Sequence, residues 1–254
     1  MRLSLSCMQC SMSDPDKPPE TILVEYNDEG AYQFKCHANH VCNVALQEQK
    51  FELLFEFGLF AIADGYYREA ITSFAASLER FQEFVTDVIC HVHAVPPALQ
   101  KQAWKPLAKS SERQLGAYAL AHLIQFHEVA PTLRQTSVET RNKAVHQGKI
   151  PTREQAVSFG EEVYSLASKL LHRLRKECDG GVSLVVSKHI RETRSHFPED
   201  TTVQFLSHQT ALNIASSTEP PKQDFSLRLA MASNSSRRWK GVPIQRGTQP
   251  KNLS

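Results

Sequence analysis

A single apolar stripe between residues 66 and 92 constrains the fold of this chain more than any other feature. A helix of this length, at about 1.5 Å per residue, must bury such a stripe against other helices. Pro96 and Pro97 then end the helix, because proline lacks a backbone N–H and disfavours helix in the residue before it. The stripe recurs every three or four positions, as one face of an α-helix requires, at Ala70, Phe74, Leu78, Phe81, Val85, Val88 and Val92.

Five further stretches around that helix carry helical patterns. They run from 45 to 64, from 98 to 107, from 112 to 129, from 131 to 148 and from 151 to 181. The last is the clearest, since Thr152 and Gln155 can form a capping box at its start and Gly180 and Gly181 can close it. We therefore predict a mainly α protein in which residues 45–180 form an antiparallel helical bundle.

The N-terminal residues carry a different signal, that of β-structure. The runs TILVEY and AYQFKC flank the turn NDEG, so the sequence predicts a β-hairpin at Thr21–Cys36. Clustered cysteines favour a metal site over a disulfide framework, and with it a reduced, cytoplasmic protein. Four of the six cysteines fall near the hairpin: Cys7, Cys10, Cys36 and Cys42.

The C-x-x-C pair of Cys7 and Cys10 supplies two of the four ligands that zinc takes in a tetrahedral site. The second pair must come from CHANHVC, residues 36–42. The combinations left open are Cys36 with His40, Cys36 with Cys42, and one that uses His37. We favour Cys36 with His40, because a short loop leaving a strand can turn both side chains onto one ion. The segment resembles a zinc ribbon over residues 7–42, which implies a structural zinc ion.

Positive charge is concentrated in the C-terminal tail. The formal net charge is only +2, but residues 216–254 contain seven Lys or Arg against Glu219 and Asp224. This tail is poor in large apolar residues, which predicts disorder. Within it, SSRRWKG combines cations with an indole, a composition that suits phosphate contact and base stacking. The candidate nucleic-acid-binding residues are Arg237, Arg238, Trp239 and Lys240.

These patterns divide the chain into four parts. We predict a zinc-ribbon-like segment over 1–44, the bundle over 45–180, an extension of undefined structure over 181–215, and the disordered basic tail over 216–254. No apolar run approaches the ~18–20 residues of a membrane span. The first residues, MRLSLSC, are too polar for a signal peptide. We therefore expect a cytoplasmic protein with no membrane partner.

The stretch RNKAVHQG, residues 141–148, ends one predicted helix with polar side chains. On a helix, Asn142 and His146 lie one turn apart on the same face, and Arg141 lies at its edge. The three side chains can converge on a phosphodiester, because a guanidinium matches phosphate oxygens and an imidazole exchanges protons near neutral pH. This chemistry requires no metal.

The pattern R-N-x-x-x-H at a helix end, followed by a strongly capped helix within a bundle, resembles the HEPN superfamily. The resemblance covers about residues 46–178 and implies an all-α, commonly dimeric domain with a metal-independent endoribonuclease site. It implies that Arg141, Asn142 and His146 of two protomers line one cleft, where His146 transfers a proton and Arg141 stabilises charge on phosphorus. Glu79, on the long helix, is predicted to pair with Arg141 and orient it.

The function that the resemblance implies is cleavage of RNA by a homodimer, as in toxins or antiviral effectors, restrained by an antitoxin or another regulatory partner. Two other hypotheses use the same residues. In one, the chain is a non-catalytic, zinc-containing module that binds nucleic acid or a nucleotide with help from its basic tail. In the other, it is a dimeric scaffold with a degenerate site.

Overall fold

The computed structural model describes residues 2–13, 21–214, 224–238 and 244. These residues are 63% helical, which confirms the prediction of a mainly α protein, and they form nine helices and five strands. They divide into two compact units. The N-terminal unit contains residues 2–13, 21–48, 186–208 and 244. The helical unit contains residues 49–185, 209–214 and 224–238.

Two small sheets make up the strands of the N-terminal unit. In one, β1 (Arg2–Ser6) pairs antiparallel with β2 (Thr21–Glu25). In the other, β3 (Ala31–Lys35) pairs antiparallel with β4 (Val41–Leu46), which in turn pairs parallel with β5 (Gln204–Leu206). A short helix, α1 (Met8–Ser13), follows β1.

The predicted hairpin at Thr21–Cys36 is wrong in its strand pairing, although its turn exists. Asn27 closes that turn by accepting a hydrogen bond from the Gly30 N–H at 2.8 Å, and Gly30 has a φ of 65°, which favours glycine. The strands on either side then pair with different neighbours. β2 pairs with β1, with Leu3 opposite Val24, and β3 pairs with β4.

The long helix α3 (Tyr67–Val92) lies at the centre of the helical unit. Its predicted stripe is buried from Ala70 to Val88, whereas Val92 is 40% exposed at the helix end. The turn before α3 is formed as predicted, because Gly65 has a φ of 84°. The helices that pack against α3 are α2 (Lys50–Ala63), α5 (Ser111–Phe126), α6 (Gln135–His146) and α7 (Arg153–Glu177), and α4 (Pro97–Leu107) packs against α5.

Two glycines admit an aromatic ring into the core of the helical unit. A Cβ on Gly58 would overlap the ring of Phe74, and a Cβ on Gly160 would lie 2.6 Å from it. The ring of Phe55 lies 4.9 Å from that of Phe74 between centroids, so the aromatic packing is tight. The Phe74 ring therefore leaves no room for a side chain at either glycine.

Several predicted helix limits are wrong. The helix expected from residue 45 begins at Lys50, because Val41–Leu46 is taken by β4. Gly180 and Gly181 do not close α7; they lie in the first turn of α8 (Asp179–Arg194), where a Cβ on Gly181 would come within 2.8 Å of the Val88 carbonyl oxygen. The helix expected from Pro131 begins at Gln135.

The prediction of a disordered tail is wrong for residues 224–238, which form α9 (Asp224–Arg238). This helix packs against α2 and buries Phe225, Leu229 and Ala232, which recur at helical spacing on one face. Its first residue, Asp224, accepts a hydrogen bond from the Tyr164 hydroxyl. The tail's mean composition concealed this short amphipathic segment.

The structure divides the chain differently from the predicted domains. The boundary expected after residue 44 falls inside β4, and the expected extension over 181–215 contributes residues 186–208 to the N-terminal unit. Of the candidate nucleic-acid-binding residues, Trp239 and Lys240 lie outside the described residues, and only the backbone of Arg237 and Arg238 is described. None of the described helices combines the length and apolarity needed to cross a membrane.

Candidate functional site

Four of the predicted zinc ligands meet in the N-terminal unit. Cys7 precedes α1 and Cys10 lies within it, while Cys36 and His40 flank the tight turn between β3 and β4. This turn is closed by a hydrogen bond from the Asn39 N–H to the Cys36 carbonyl at 2.9 Å. The three sulfur atoms and one imidazole nitrogen all lie within 4.8 Å of one another, a group that can hold a metal ion.

The separations within this cysteine–histidine cluster fit a tetrahedral zinc ion. Bonds of about 2.3 Å to sulfur and about 2.0 Å to nitrogen place two sulfurs ~3.8 Å apart and a sulfur ~3.5 Å from a nitrogen. The Cys10 and Cys36 sulfurs are 3.6 Å apart, and His40 Nδ1 lies 3.6 Å from the Cys7 sulfur and 3.4 Å from that of Cys10. All six cysteines of the chain are free thiols.

The thiols of the cluster differ in how readily they ionise. Burial raises the pKa of Cys7, but hydrogen bonds from the Cys10 backbone and from Cys42, His40 and the Cys10 thiol outweigh it and lower that pKa to about 6. Burial and the neighbouring thiols raise the pKa of Cys10 to about 11 and that of Cys42 to about 12. A bound cation would favour the thiolate at every ligand. Cys42, the alternative ligand, lies beside the quartet and outside it.

The second cluster lies at the end of α6 and joins Arg141 to three other side chains. Arg141 Nη1 donates to Asn142 Oδ1 at 3.0 Å and lies 3.4 Å from His146 Nε2. Arg141 Nη2 donates to Glu79 Oε1, on α3, at 2.9 Å. Because a guanidinium can only donate, a hydrogen bond to His146 requires Nε2 to be unprotonated and Nδ1 to carry the hydrogen. The structure thus brings together all four residues that the sequence named for this site.

Both ends of α6 are fixed by charged side chains from other helices. At its start, Glu162 of α7 accepts hydrogen bonds from the backbone N–H of Arg134 at 2.6 Å and from the Ser137 hydroxyl at 2.5 Å. Burial raises the pKa of Glu162, but these donors and the Arg134 guanidinium outweigh it and lower that pKa. At the other end, Arg68 of α3 donates to the Ala144 carbonyl at 3.1 Å. The backbone that carries Arg141 is therefore held in place.

Solvent reaches the Arg141 cluster. The side chains of Arg141 and Glu79 are 23% and 31% exposed, and His146 is exposed at the helix end. A cavity of about 370 Å³ opens beside the cluster between α3, α5 and α6, with Arg141 and Asn142 in its wall. The arrangement places donors for an anion next to a titratable imidazole on an accessible surface.

Sequence reasoning missed the residues that support this cluster. Glu162 and Arg68 act through tertiary contacts to the ends of α6, and no local motif marks such contacts. Gln82 lies one turn beyond Glu79 on α3 and lines the cavity, and its position on a largely apolar face was the only available signal.

Comparisons with protein-family models, curated proteins and solved structures found no match to the chain.

Proposed function

We propose that this chain is a metal-independent endoribonuclease of the HEPN type, with Arg141, Asn142 and His146 as its catalytic residues, acting on RNA in the cytoplasm. The observation that carries the proposal is that Arg141 contacts both Asn142 and His146 while Glu79 holds the other side of its guanidinium. A cation held in this way is oriented before the substrate arrives, which is the main source of electrostatic catalysis.

In the proposed reaction the ribose 2′-oxygen attacks the adjacent phosphorus, and the bond from phosphorus to the 5′-oxygen breaks. His146 accepts the 2′-hydroxyl proton on Nε2, and His146 of the partner subunit, protonated beforehand, gives a proton to the departing 5′-oxygen. Arg141 donates to the phosphate oxygens as their negative charge grows. The products are a 2′,3′-cyclic phosphate and a 5′-hydroxyl. Acid–base assistance of this kind contributes ~10²- to 10⁴-fold.

Glu79 is a positioning residue in this scheme. A partly exposed ion pair such as that between Arg141 and Glu79 contributes only about 0–1 kcal/mol, so a phosphate can share the guanidinium with the carboxylate. Within the described part of the chain, the contacts of Arg141 use Nη1 and Nη2 and leave its Nε–H for a phosphate oxygen. The guanidinium can therefore hold Glu79 and substrate together.

An apolar stripe on α5 supports a homodimer. Leu120, Leu123 and Ile124 are 59%, 47% and 52% exposed and lie one turn apart, on a helix whose opposite face packs against α3. Neighbouring exposed apolar side chains of this kind mark interaction surfaces, and a second copy is the simplest partner.

Since unrestrained RNA cleavage harms a cell, we propose a toxin or antiviral effector restrained by an antitoxin or another regulatory partner.

We further propose that Cys7, Cys10, Cys36 and His40 hold a structural zinc ion. When bound, the ion cross-links the segment after β1 to the turn between β3 and β4. Four protein ligands leave zinc no open coordination position, so its role is to stabilise the fold. The separations among the ligand atoms support this assignment.

The catalytic proposal is tested by incubating the purified protein with end-labelled RNA without added divalent cations. We expect cleavage that survives EDTA, provided that the zinc content measured after the assay is unchanged. His146→Ala and Arg141→Ala should each lose at least ~100-fold in rate. His127→Asn is the matched control, because His127 is an exposed histidine at a φ of 56° that asparagine tolerates.

Equal cleavage by the wild-type protein and both variants would overturn the proposal. Salt-sensitive RNA binding without cleavage, lost on deletion of residues 239–254, would instead support the non-catalytic binding module, because this deletion leaves α9 in place. The end groups of the products give a separate check, because a 2′,3′-cyclic phosphate forms only by attack of the ribose 2′-oxygen.

A further inference from the structure

The cavity beside Arg141 has the size and walls of a small-molecule site. Its volume of about 370 Å³ falls within the ~300–1,000 Å³ of such sites. Leu78, Leu115 and Leu133 form much of its wall, and these side chains suit the faces of a flat ring. Arg141 and Asn142 also line it, so a group bound there lies next to the proposed phosphate position.

A buried amide without a partner faces this cavity. Gln82 is only 6% exposed and lines the cavity, and no described residue forms a hydrogen bond with its carboxamide. The oxygen and nitrogen of this carboxamide are not fully enclosed, so they reach the cavity and can bond with water or with a ligand. A ligand with both acceptor and donor atoms can supply the missing bonds.

Two carboxylates give the cavity an acidic character. Glu112 lines it from the first turn of α5, and the Ser110 hydroxyl donates to Glu112 Oε2 at 2.7 Å. That hydroxyl, the helix backbone and Arg141 lower the pKa of Glu112. With Glu79, the lining carries two negative charges against the single positive charge of Arg141. The cavity therefore favours a neutral ligand rich in N–H donors over a phosphate.

We propose that this cavity binds a guanine base that flanks the phosphate held by Arg141, so that the enzyme cleaves RNA next to guanosine. Among the four RNA bases, only guanine presents two adjacent N–H donors on its pairing edge, at N1 and N2, and these match the two oxygens of Glu112. The O6 atom of guanine can accept from the Gln82 amide. This inference rests on the proposed function for its place in catalysis, but the binding itself can be measured without cleavage.

The binding test uses the whole wild-type chain and nucleoside 3′,5′-bisphosphates, which carry phosphates on the 3′- and 5′-oxygens of the ribose. By isothermal titration calorimetry, guanosine 3′,5′-bisphosphate should bind ~5- to 150-fold more tightly than its adenosine, cytidine and uridine counterparts, the range of one bidentate contact. Gln82→Leu and Glu112→Gln should each remove most of this preference. Glu154→Gln is the matched control, since Glu154 also occupies the first turn of a helix beside its N-cap residue.

The cleavage test uses four short RNAs that differ only in the base at one site. The same two variants should reduce the preference for guanosine in kcat/KM. Gln82→Leu should do so without lowering thermal stability, because Gln82 gives up no hydrogen bond when it becomes leucine. Equal binding of all four bisphosphates would overturn the inference, even if RNA is cleaved with His146 dependence. Selective guanosine binding without any cleavage would support the guanine pocket and overturn the proposed nuclease.

Discussion

The two polar clusters of this protein differ in how their charges are balanced. The cysteine–histidine cluster sets three thiols and an imidazole side by side, and the ionisation of one thiol hinders the next. The Arg141 cluster pairs its cation with the carboxylate of Glu79 and with two further polar side chains. The first is a group that could hold a cation from outside, whereas the second already pairs its charge within the protein. Stability measurements should detect the first site, and rate measurements the second.

Loss of the metal should have the largest effect. In Cys10→Ser we expect one zinc ion per chain to be lost, and with it the order of residues 21–48, because structural zinc binding contributes ~10–16 kcal/mol of apparent free energy. Zinc content by mass spectrometry and hydrogen exchange across both units measure this. Cys90→Ser is the control, since Cys90 lies outside the cluster. Unchanged exchange over residues 21–48 in zinc-free protein would contradict the prediction.

Removal of the carboxylate beside Arg141 should change the rate more than the stability. In Glu79→Gln we expect kcat/KM for RNA to fall by up to ~100-fold, because a misplaced catalytic group costs about that much, while the free energy of unfolding changes by about 1 kcal/mol or less. Glu83→Gln on the same helix, which breaks the pair with Arg80, provides the control. If the free energy of unfolding fell by more than the free-energy equivalent of the fall in kcat/KM, Glu79 would have a purely structural role.

Overpacking near Phe74 should weaken the helical unit and leave the metal in place. We expect Gly58→Ala to lower the free energy of unfolding by about 1–3 kcal/mol, since its methyl group would overlap the Phe74 ring. Gly116→Ala is the matched control, because nothing lies within 4 Å of its Cβ, and alanine should add up to ~1 kcal/mol of helix stability. Chemical denaturation with parallel zinc analysis separates the two units.

The smallest effect concerns pH and the start of α6. The pKa of Glu162 is lowered from 4.5 in the folded protein, so its stabilising effect is present above that value and is lost as the pH falls through the folded pKa. Glu162→Gln should cost about 1 kcal/mol at neutral pH and reduce the acid dependence of unfolding. Glu161→Gln, at the exposed neighbouring position, should leave the profile unchanged. If the free energy of unfolding changed with pH in the same way in the Glu162→Gln variant and the wild-type protein, this role of Glu162 would be contradicted.

Features that depend on one turn of helix were predictable from the sequence. The capping box of Thr152 and Gln155 is confirmed, with reciprocal hydrogen bonds of 3.0 and 3.3 Å. The pair of Glu79 with Arg141, 62 positions apart, was also predicted, and the structure forms it at 2.9 Å. Close spacing of Cys7 with Cys10, and of Cys36 with His40, defined the other cluster in the same local way.

Pairings between distant short segments were not predictable. β5 has only three residues, and Gln204 within it donates to the Ser6 carbonyl, 198 positions away. A strand of that length carries no usable period, so the partner decides its structure. α9 does carry a helical period at Phe225, Leu229 and Ala232, but it lies in a segment whose mean composition predicted disorder, and it packs against α2. The sequence did not mark Gln82 and Glu112 as cavity residues, because the cavity forms only where α3, α5 and α6 meet.

The parallel pairing of β4 with β5 affects the order in which the protein folds during synthesis. Glu48, just after β4, accepts a hydrogen bond from the backbone of His208, 160 positions later. The ribosome must therefore deliver residues 49–185 of the helical unit before the three-stranded sheet of the N-terminal unit can be completed. At ~5–20 residues per second, β4 waits roughly ten to thirty seconds for its partner.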